Sequence, residues 1–248
     1  VVNPDVAFLF QRMNKVTLAK VNPAPGERIL DIGCGRAFDD VELAKEGAEV
    51  IGLEPSNIMI EHAKDYVYKN RANVFLVRGV GEYLPFKDQS INKVVCKGAL
   101  DHFFDPTMVI QQIARVLNPR GRAIIAIANF ESLGFRLGRM IWWFRKQLGF
   151  RPSEGRMPWD IPPDHTYKFD YSVLRRLVGD CLQIEQVSGI SLFFGLPWWG
   201  MLLAKCPGKI AFAALNFLDR VARLLPLFSD VIVIVCTPKS LHNVSVCF

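Results

Sequence analysis

Short apolar runs alternate with helical patterns between residues 28 and 128. Five runs are typical of buried strands, and each connection between them is long enough for a parallel crossover. The runs cover residues 28–32, 48–53, 74–77, 93–96 and 122–128. Between them the pattern predicts a helix capped by Asp39 or Asp40 and stopped by Gly47, and further helices over residues 56–69 and 106–117. This order predicts a mostly parallel sheet with helices on both faces.

The second half of the chain is less regular and more apolar. Helical patterns cover residues 132–148, 172–178 and 197–225, and strand-like runs cover residues 182–187 and 231–235. We therefore predict a single α/β domain over residues 1–248 with a sheet of about seven strands. Its core would be residues 25–130 and 165–238, with inserted apolar helical segments at about 132–160 and 190–228.

Composition and charge add one feature to this picture. The net charge of +6 lies entirely in the second half, since residues 1–131 hold 16 basic and 16 acidic side chains and residues 132–248 hold 14 and 8. There the basic residues are mixed with Trp and Phe, which leaves a solvated basic face, an anionic membrane surface and an anionic substrate as open interpretations. Apolar windows are too short for a spanning helix.

The six cysteines have neither metal-ligand spacing nor a disulfide pattern, so no metal site is predicted and a reducing cytosol fits best. The first residues show no signal-peptide pattern. The sequence therefore predicts a cytoplasmic protein, with peripheral membrane contact as the open addition.

Candidate chemistry lies where the first two predicted strands end. Asp31 precedes Gly33-Cys34-Gly35, and two glycines at such a turn allow a ligand to approach the backbone and the free amides of the next helix. Glu54 ends the second strand, where an acid can accept hydrogen bonds from both ribose hydroxyls. A dinucleotide site would need a third glycine where Phe38 stands, and Asp31 would repel a phosphate. The turn favours a cationic amine, with a tight packing turn as the alternative.

Four motifs, in the same order and at similar separations, resemble those of class I S-adenosylmethionine-dependent methyltransferases. They are most similar to the group that includes the quinone and sterol methylating enzymes. The motifs are RILDIGCG at residues 28–35, GLEPS at 52–56, GEYLPF at 81–86 and LNPRGR at 117–122. The resemblance covers about residues 25–130 and implies a Rossmann-like sheet of seven strands, which the terminal strands would complete.

The resemblance implies S-adenosylmethionine as the cofactor and assigns residues to it. Asp31 would bind the amine of the methionine portion, and Glu54 would bind the ribose hydroxyls. Val80 stands where the family often has an acid for the adenine amino group, so Glu82 or a backbone carbonyl would take that contact. The predicted cofactor-binding residues are Asp31, Gly33, Cys34, Gly35, Glu54, Ser56, Gly81, Glu82, Lys97 and Gly98.

Methyl transfer from a sulfonium needs mainly alignment and the exclusion of water, and a base only when the acceptor arrives protonated. His102 lies beyond the fourth predicted strand and is the first candidate base, with the adjacent Asp101 orienting it. His165, on a loop, is the second candidate. A pocket wall that moves no proton is the alternative for both histidines.

The aromatic residues of the inserted segments predict a small, apolar acceptor methylated at O or C. They would form a lid over this acceptor, lie on a membrane, or only pack as core. Three other functions compete: a non-catalytic S-adenosylmethionine-binding sensor or assembly partner, a nicotinamide-dependent oxidoreductase, and a nucleic-acid methyltransferase. Phe38 disfavours the second, and the absence of an Asn/Asp-Pro-Pro-Tyr type tetrad disfavours the third.

Overall fold

A computed structural model describes residues 3–150, 156–163 and 165–239. It contains a sheet of seven strands in the order β3-β2-β1-β4-β5-β7-β6. The strands are β1 (Arg28–Ile32), β2 (Glu49–Glu54), β3 (Val74–Arg78), β4 (Ile91–Lys97), β5 (Leu117–Ala128), β6 (Leu182–Ile190) and β7 (Val231–Pro238). The pairings that join β1 to β5 are parallel, and the whole sheet is mixed. The predicted Rossmann-like α/β sheet of seven strands is confirmed.

Eight α-helices accompany the sheet in the described residues. They are α1 (Pro4–Val21), α2 (Phe38–Lys45), α3 (Asn57–Asn70), α4 (Pro106–Val116), α5 (Leu133–Gln147), α6 (Tyr171–Cys181), α7 (Trp199–Lys205) and α8 (Gly208–Leu224). A 3-10 turn, Leu100–His102, follows β4. The sequence pattern did not predict α1.

The strands at the centre of the sheet are buried where they contain continuous apolar stretches. Ile29 and Leu30 of β1, Val94 of β4 and Ile124 of β5 have no exposed surface. Parallel strands covered on both faces need such continuous apolar runs, whereas a strand with one wet face alternates. This composition makes the local pattern a dependable predictor of these strands.

Two predicted elements have different boundaries in the structure. The helix expected over residues 197–225 is two helices, because Cys206 is extended (ψ 150°) ahead of Pro207, as a residue before proline prefers to be. The fifth strand begins at Leu117 instead of residue 122. Its pairing jumps from Ile91 with Leu117 to Lys93 with Arg122, so residues 118–121 form an irregularity within the strand.

The described residues divide into two compact units. Unit 1 takes those within Val1–Met13, Ala128–Val173 and Ser188–Ile232, and unit 2 takes those within Asn14–Ile127, Leu174–Val187 and Val233–Phe248. Unit 2 contains β1 to β4 and nearly all of β5, and unit 1 contains α5, α7 and α8. The single domain over residues 1–248, with its stated core and insertions, stays a prediction, and residues 151–155 of the first insertion lie outside the described residues.

Unit 1 is held together by an apolar cluster and a buried ion pair. Phe8 of α1 packs with residues of α7 and α8, among them Leu203 and Leu215. Asp219 is completely buried, and its Oδ2 accepts hydrogen bonds from Arg12 Nε and Arg223 Nη2, each at 2.7 Å. Two cations therefore compensate the desolvated carboxylate.

Within unit 1, the buried face of α5 consists of two glycines and one phenylalanine. Gly134, Phe135 and Gly138 are the buried residues of α5, whereas Phe144 and Leu148 are exposed. The glycines are required because a Cβ at Gly134 would lie 2.4 Å from the Phe194 carbonyl oxygen, and one at Gly138 would lie 2.3 Å from Trp159 Cζ3. Close backbone packing, invisible to a hydrophobicity pattern, selects this face.

Candidate functional site

The turn after β1 is built by two glycines with different tasks. The amides of Gly33 and Cys34 both donate to the carbonyl oxygen of Leu53, at 2.8 and 3.1 Å, which holds the turn against the end of β2. Gly33 has φ +77°, and a Cβ there would lie 2.5 Å from Ala99 Cβ. Gly35 has φ +55° and no heavy atom within 4 Å of a Cβ position. Gly33 is therefore needed for packing, whereas Gly35 borders open space.

Glu54 joins the turn after β1 to the turn after β2. Its Oε2 accepts a hydrogen bond from the Gly35 amide at 3.0 Å, and its Oε1 accepts one from the Ser56 amide at 2.9 Å. The Ser56 hydroxyl accepts the Met59 amide at 3.3 Å and caps α3, as predicted. Each carboxylate oxygen can accept more than one hydrogen bond, so Glu54 keeps capacity for a ligand hydroxyl.

Acidic side chains are concentrated beside this turn. Asp31, Asp39, Asp40 and Glu54 are all buried. Lys97 is paired with the carboxylate of Asp39 and donates to Asn14 Oδ1 at 2.6 Å. Asp31, Asp39 and Asp40 therefore share one nearby lysine, whose charge is already engaged with Asp39.

This arrangement disfavours ionisation of two of the acids. Burial, followed by the charges of Asp39 and Glu54, raises the pKa of Asp31 to about 7, and Lys97 acts in the opposite direction. Burial, followed by Asp31 and Asp39, also raises the pKa of Asp40 well above its usual value. Neither carboxylate oxygen of Asp40 has a hydrogen-bond partner among the described residues. A bound cation would favour the ionised form of both acids.

The prediction that Asp39 or Asp40 caps α2 is wrong. The N-cap residue is Ala37, with φ 59° and no side-chain hydrogen bond, and α2 begins at Phe38. Both aspartates therefore lie inside the first turn and are buried beside Asp31. The signal was present as two consecutive acids just after the glycine turn, but the same residue type is also the common N-cap.

The Gly81-Glu82 motif positions the loop that follows β4. Glu82 is buried, and its Oε1 accepts hydrogen bonds from the amides of Phe104 at 2.8 Å and Asp105 at 3.3 Å. A Cβ at Gly81 would lie 3.0 Å from Phe103 Cε1. The motif has a clear structural task in this fold, and its expected place beside an adenine stays a prediction.

The other predicted cofactor residues offer backbone more than side chain. Gly98 has φ +60°, donates its amide to the Ala126 carbonyl oxygen at 2.7 Å, and has open space at its Cβ position. The Cys34 thiol faces Gly52, where a Cβ would lie 2.8 Å from its Sγ. Burial, together with the nearby carboxylates, raises the pKa of Cys34, so this side chain stays a neutral thiol.

The three candidate catalytic residues are divided between the units. Asp101 is buried and His102 is partly exposed, both in the 3-10 turn after β4 of unit 2. The distance from Asp101 Oδ1 to His102 Nε2 is 4.0 Å, longer than a hydrogen bond. His165 belongs to unit 1, where its ring meets Phe130 edge-on with centroids 5.9 Å apart. Their roles in proton transfer stay predictions.

The donor set fits S-adenosylmethionine by its chemistry. This cofactor has a cationic sulfonium and a cationic amine, which suit the excess of carboxyl groups around Asp31. Its ribose offers two hydroxyl donors, which suit an acceptor such as Glu54. The open space at Gly35 and Gly98 allows a ligand to lie against the backbone.

Known proteins share both sequence and fold with this chain. Residues 23–140 match a family model described as a methyltransferase domain. A demethylmenaquinone methyltransferase of Corynebacterium kroppenstedtii is 33% identical over 118 residues, which is 48% of each chain. A ubiquinone biosynthesis O-methyltransferase of Vibrio cholerae is 30% identical over 119 residues, again 48% of each. The chain thus spans about half the length of these curated relatives.

The fold likeness extends further than the sequence likeness. The YcgJ protein of Bacillus subtilis superposes with a TM-score of 0.61 over 93% of this chain and 99% of that chain, at 19% identity. At that identity the match concerns the fold alone. The motif order, the carboxylates at the ends of β1 and β2 and the family match agree, and residues 23–140 belong to the methyltransferase domains of the class I, S-adenosylmethionine-dependent family.

Proposed function

We propose that this protein transfers the methyl group of S-adenosylmethionine to an oxygen or carbon atom of a small, apolar acceptor. The observation that carries the proposal is the pair of buried carboxylates, Asp31 and Glu54, at the ends of two adjacent parallel strands with an open glycine turn between them. In this arrangement Asp31 binds the cofactor amine and Glu54 its ribose hydroxyls. The names of the relatives, which concern menaquinone and ubiquinone, support a quinone-like acceptor.

The protein has few chemical tasks in such a reaction. The cofactor supplies a methyl group on a positively charged sulfur, and the charge disappears on transfer, so an apolar surrounding favours the transition state. Holding donor and acceptor in line supplies much of the rate, up to about 7–11 kcal/mol in well-oriented model reactions. His102, partly exposed beyond β4, is the candidate that would accept a proton from a phenolic acceptor.

The proposal is tested with methyl-labelled S-adenosylmethionine and a panel of demethylated quinones and phenols. We expect label in the organic extract with at least one acceptor, and none when the cofactor is replaced by its demethylated product. Calorimetry on the same preparation measures cofactor binding separately. Cofactor binding without transfer to any acceptor would contradict the enzymatic proposal and favour a sensor or assembly partner.

We further propose that unit 1 contacts an anionic membrane surface through α7 and α8. Six large apolar side chains of these helices are exposed by about half or more: Met201, Leu202, Ile210, Phe212, Phe217 and Leu224. The residues from 199 to 225 include four basic side chains and one acid, and that acid is the buried Asp219. Among the described residues, no helix is both long and apolar enough to pass through a bilayer. An apolar face with basic residues favours lying on the surface of anionic lipids.

Replacing Phe217 with Glu is expected to weaken binding to phosphatidylglycerol-containing vesicles about tenfold or more. The reason is that burying a Phe side chain contributes about 1.5–3 kcal/mol, and the new charge is repelled. Cosedimentation with vesicles measures the effect. The matched control is Phe75→Glu, on β3 in unit 2, because Phe75 is 58% and Phe217 65% exposed. Equal binding of both variants, or equal binding of the wild type to neutral phosphatidylcholine vesicles, would contradict the proposal.

We infer that the protein is cytosolic and binds the membrane from that side. This location agrees with the exposed apolar side chains of α7 and α8 and with the free cysteines. Cys34, Cys96, Cys181, Cys206 and Cys236 are all free thiols in the described residues. A quinone-like acceptor dissolved in the bilayer would be accessible from that position. The cytoplasmic location is part of the proposal.

A further inference from the structure

A cavity of about 640 Å³ lies within unit 1. Ligand pockets in proteins have volumes of about 300–1,000 Å³ and are mostly apolar with a few placed polar groups. The apolar wall of the cavity in unit 1 includes three tryptophans and other large side chains. These are Trp142, Trp159, Trp198, Phe194, Leu196 and Met201. The wall therefore offers flat aromatic surfaces to a ligand.

One carboxyl group lines this apolar cavity. Asp5, in the first turn of α1, is 6% exposed, and its Oδ1 has no hydrogen-bond partner among the described residues. Gly200 of α7 is next to it, since a Cβ there would lie 2.7 Å from Asp5 Oδ1. Burial raises the pKa of Asp5 above its usual value. A buried acceptor without a donor is costly, and a ligand that donates a hydrogen bond would satisfy it.

Arg145 supplies a positive charge to the cavity wall and lies close to three aromatic rings. The guanidinium carbon of Arg145 lies 5.7 Å from the Trp142 ring centre, 5.5 Å from that of Trp198 and 4.7 Å from that of Phe150. These are cation–π distances. Since Arg145 contributes a positive charge to the wall, the cavity disfavours a cationic ligand.

We propose that this cavity is a binding site for an apolar aromatic molecule with one hydroxyl group, which donates a hydrogen bond to Asp5 Oδ1. The tryptophans bind the aromatic body, and Asp5 selects the polar end. The site consists of residues of unit 1 alone and needs no methyl donor. It goes beyond the proposed methyl transfer, and each can fail without the other.

Calorimetry with the full chain and three probes tests this site. The probes are 2-naphthol, 2-methoxynaphthalene, which lacks the donor, and 2-naphthoate, which adds a negative charge. We expect 2-naphthol to bind about tenfold tighter than 2-methoxynaphthalene, the usual effect of one hydrogen bond to a charged group. In Asp5→Leu this preference should disappear. Equal binding of 2-naphthol and 2-methoxynaphthalene to the wild type would overturn the proposal. Preferred binding of 2-naphthoate would also overturn it, because Arg145 instead of Asp5 would then bind the polar end of the ligand.

A second pair of variants locates the site independently of Asp5. Val6 lines the cavity, and the neighbouring Ala7 is exposed on the same helix. Val6→Phe should fill part of the cavity and lower the affinity for 2-naphthol about tenfold, whereas Ala7→Phe should leave it unchanged. Circular dichroism and thermal unfolding verify that both variants fold. Unchanged binding in Val6→Phe would place the probe elsewhere and overturn the proposal, while unchanged binding of the methyl donor leaves the proposed function in place.

Discussion

Replacing Asp31 with Asn is expected to weaken S-adenosylmethionine binding about 100-fold. Removing one partner of a buried charge pair costs about 2–5 kcal/mol, and Asp31 is the buried carboxylate at the end of β1. Calorimetric titration measures the loss. The matched control is Asp65→Asn on α3, an exposed carboxylate that pairs with Lys69 and should leave affinity unchanged.

The contact itself is identified by a second ligand. Methylthioadenosine has the ribose and adenine of the cofactor but no amino-acid portion. If Asp31 binds the amine, Asp31→Asn should weaken the demethylated cofactor strongly and methylthioadenosine hardly at all. Equal losses for both ligands would show that the variant disturbs the turn instead of a single contact, and would refute the assigned role.

Asp31→Asn is also expected to stabilise the folded protein at high pH, although it weakens cofactor binding. The pKa of Asp31 is about 7 in the folded protein and near the ordinary value of 3.8 in the unfolded chain, so the folded state binds the proton more tightly. The contribution of Asp31 to stability is therefore complete below about pH 4 and is lost as the pH rises through about 7. Burial is the largest cause of this shift, and Asp39, Lys97 and Glu54 are the charged groups that contribute to it.

Asp31→Asn should consequently raise the free energy of unfolding at pH values above 7 and have little effect near pH 4. Urea denaturation of the apo-protein at several pH values measures the difference. The raised pKa of Asp40 and of Asp230 keeps some pH dependence in the variant, because both shifts have the same sign. A variant that is less stable than the wild type at alkaline pH would contradict the placement of a destabilised carboxylate at this position.

Gly35→Ala is expected to lower cofactor affinity about tenfold while the protein still folds. The left-handed conformation costs an alanine about 1–2 kcal/mol, but no atom lies within 4 Å of the new Cβ, so the added methyl group meets only the ligand. Gly26→Ala is the matched control. Gly26 has φ +79° and open space in the loop before β1, away from the proposed site.

Gly33→Ala should instead act mainly on folding. Its Cβ would lie 2.5 Å from Ala99 Cβ, which adds about 1–3 kcal/mol of overpacking to the conformational cost. Thermal unfolding should rank Gly33→Ala below Gly35→Ala, and calorimetry should separate Gly35→Ala from Gly26→Ala. If Gly35→Ala binds the cofactor as tightly as Gly26→Ala does, the cofactor does not occupy the open space beside Gly35, and this assignment is wrong.

Much of the sheet and of the turn chemistry could be predicted from local pattern. The strand β1 matches its predicted range, and the cap of α3 at Ser56 is where the sequence places it. Both are short-range properties, since a buried parallel strand is continuously apolar and an N-cap bonds to an amide three residues ahead. The order of the four motifs, which resembles that of a known family, indicated the cofactor. No single motif would have specified it.

Other features depend on residues that are distant in sequence. The pairing of Lys97 with Asn14 joins side chains 83 residues apart, and the helix that supplies Asn14 was not predicted. The hydrophobic pattern also could not show that the side chains of Asp39 and Asp40 are buried. Which face of α5 is buried depended on Trp159 and Phe194, whose contact with glycines leaves no hydrophobic signature.

The amino-acid sequence by itself determined the strands around the glycine turn and the two carboxylates at their ends, because both depend on neighbouring residues, and the order of its motifs indicated the class of cofactor. Only the tertiary structure decided that three buried aspartates share one engaged lysine, that Glu54 accepts hydrogen bonds from two amides, and that Asp5 lines an apolar cavity. Those properties are set by burial and by distances across the fold. A residue's charge state and its availability to a ligand follow from what surrounds it, which its neighbours along the chain do not specify.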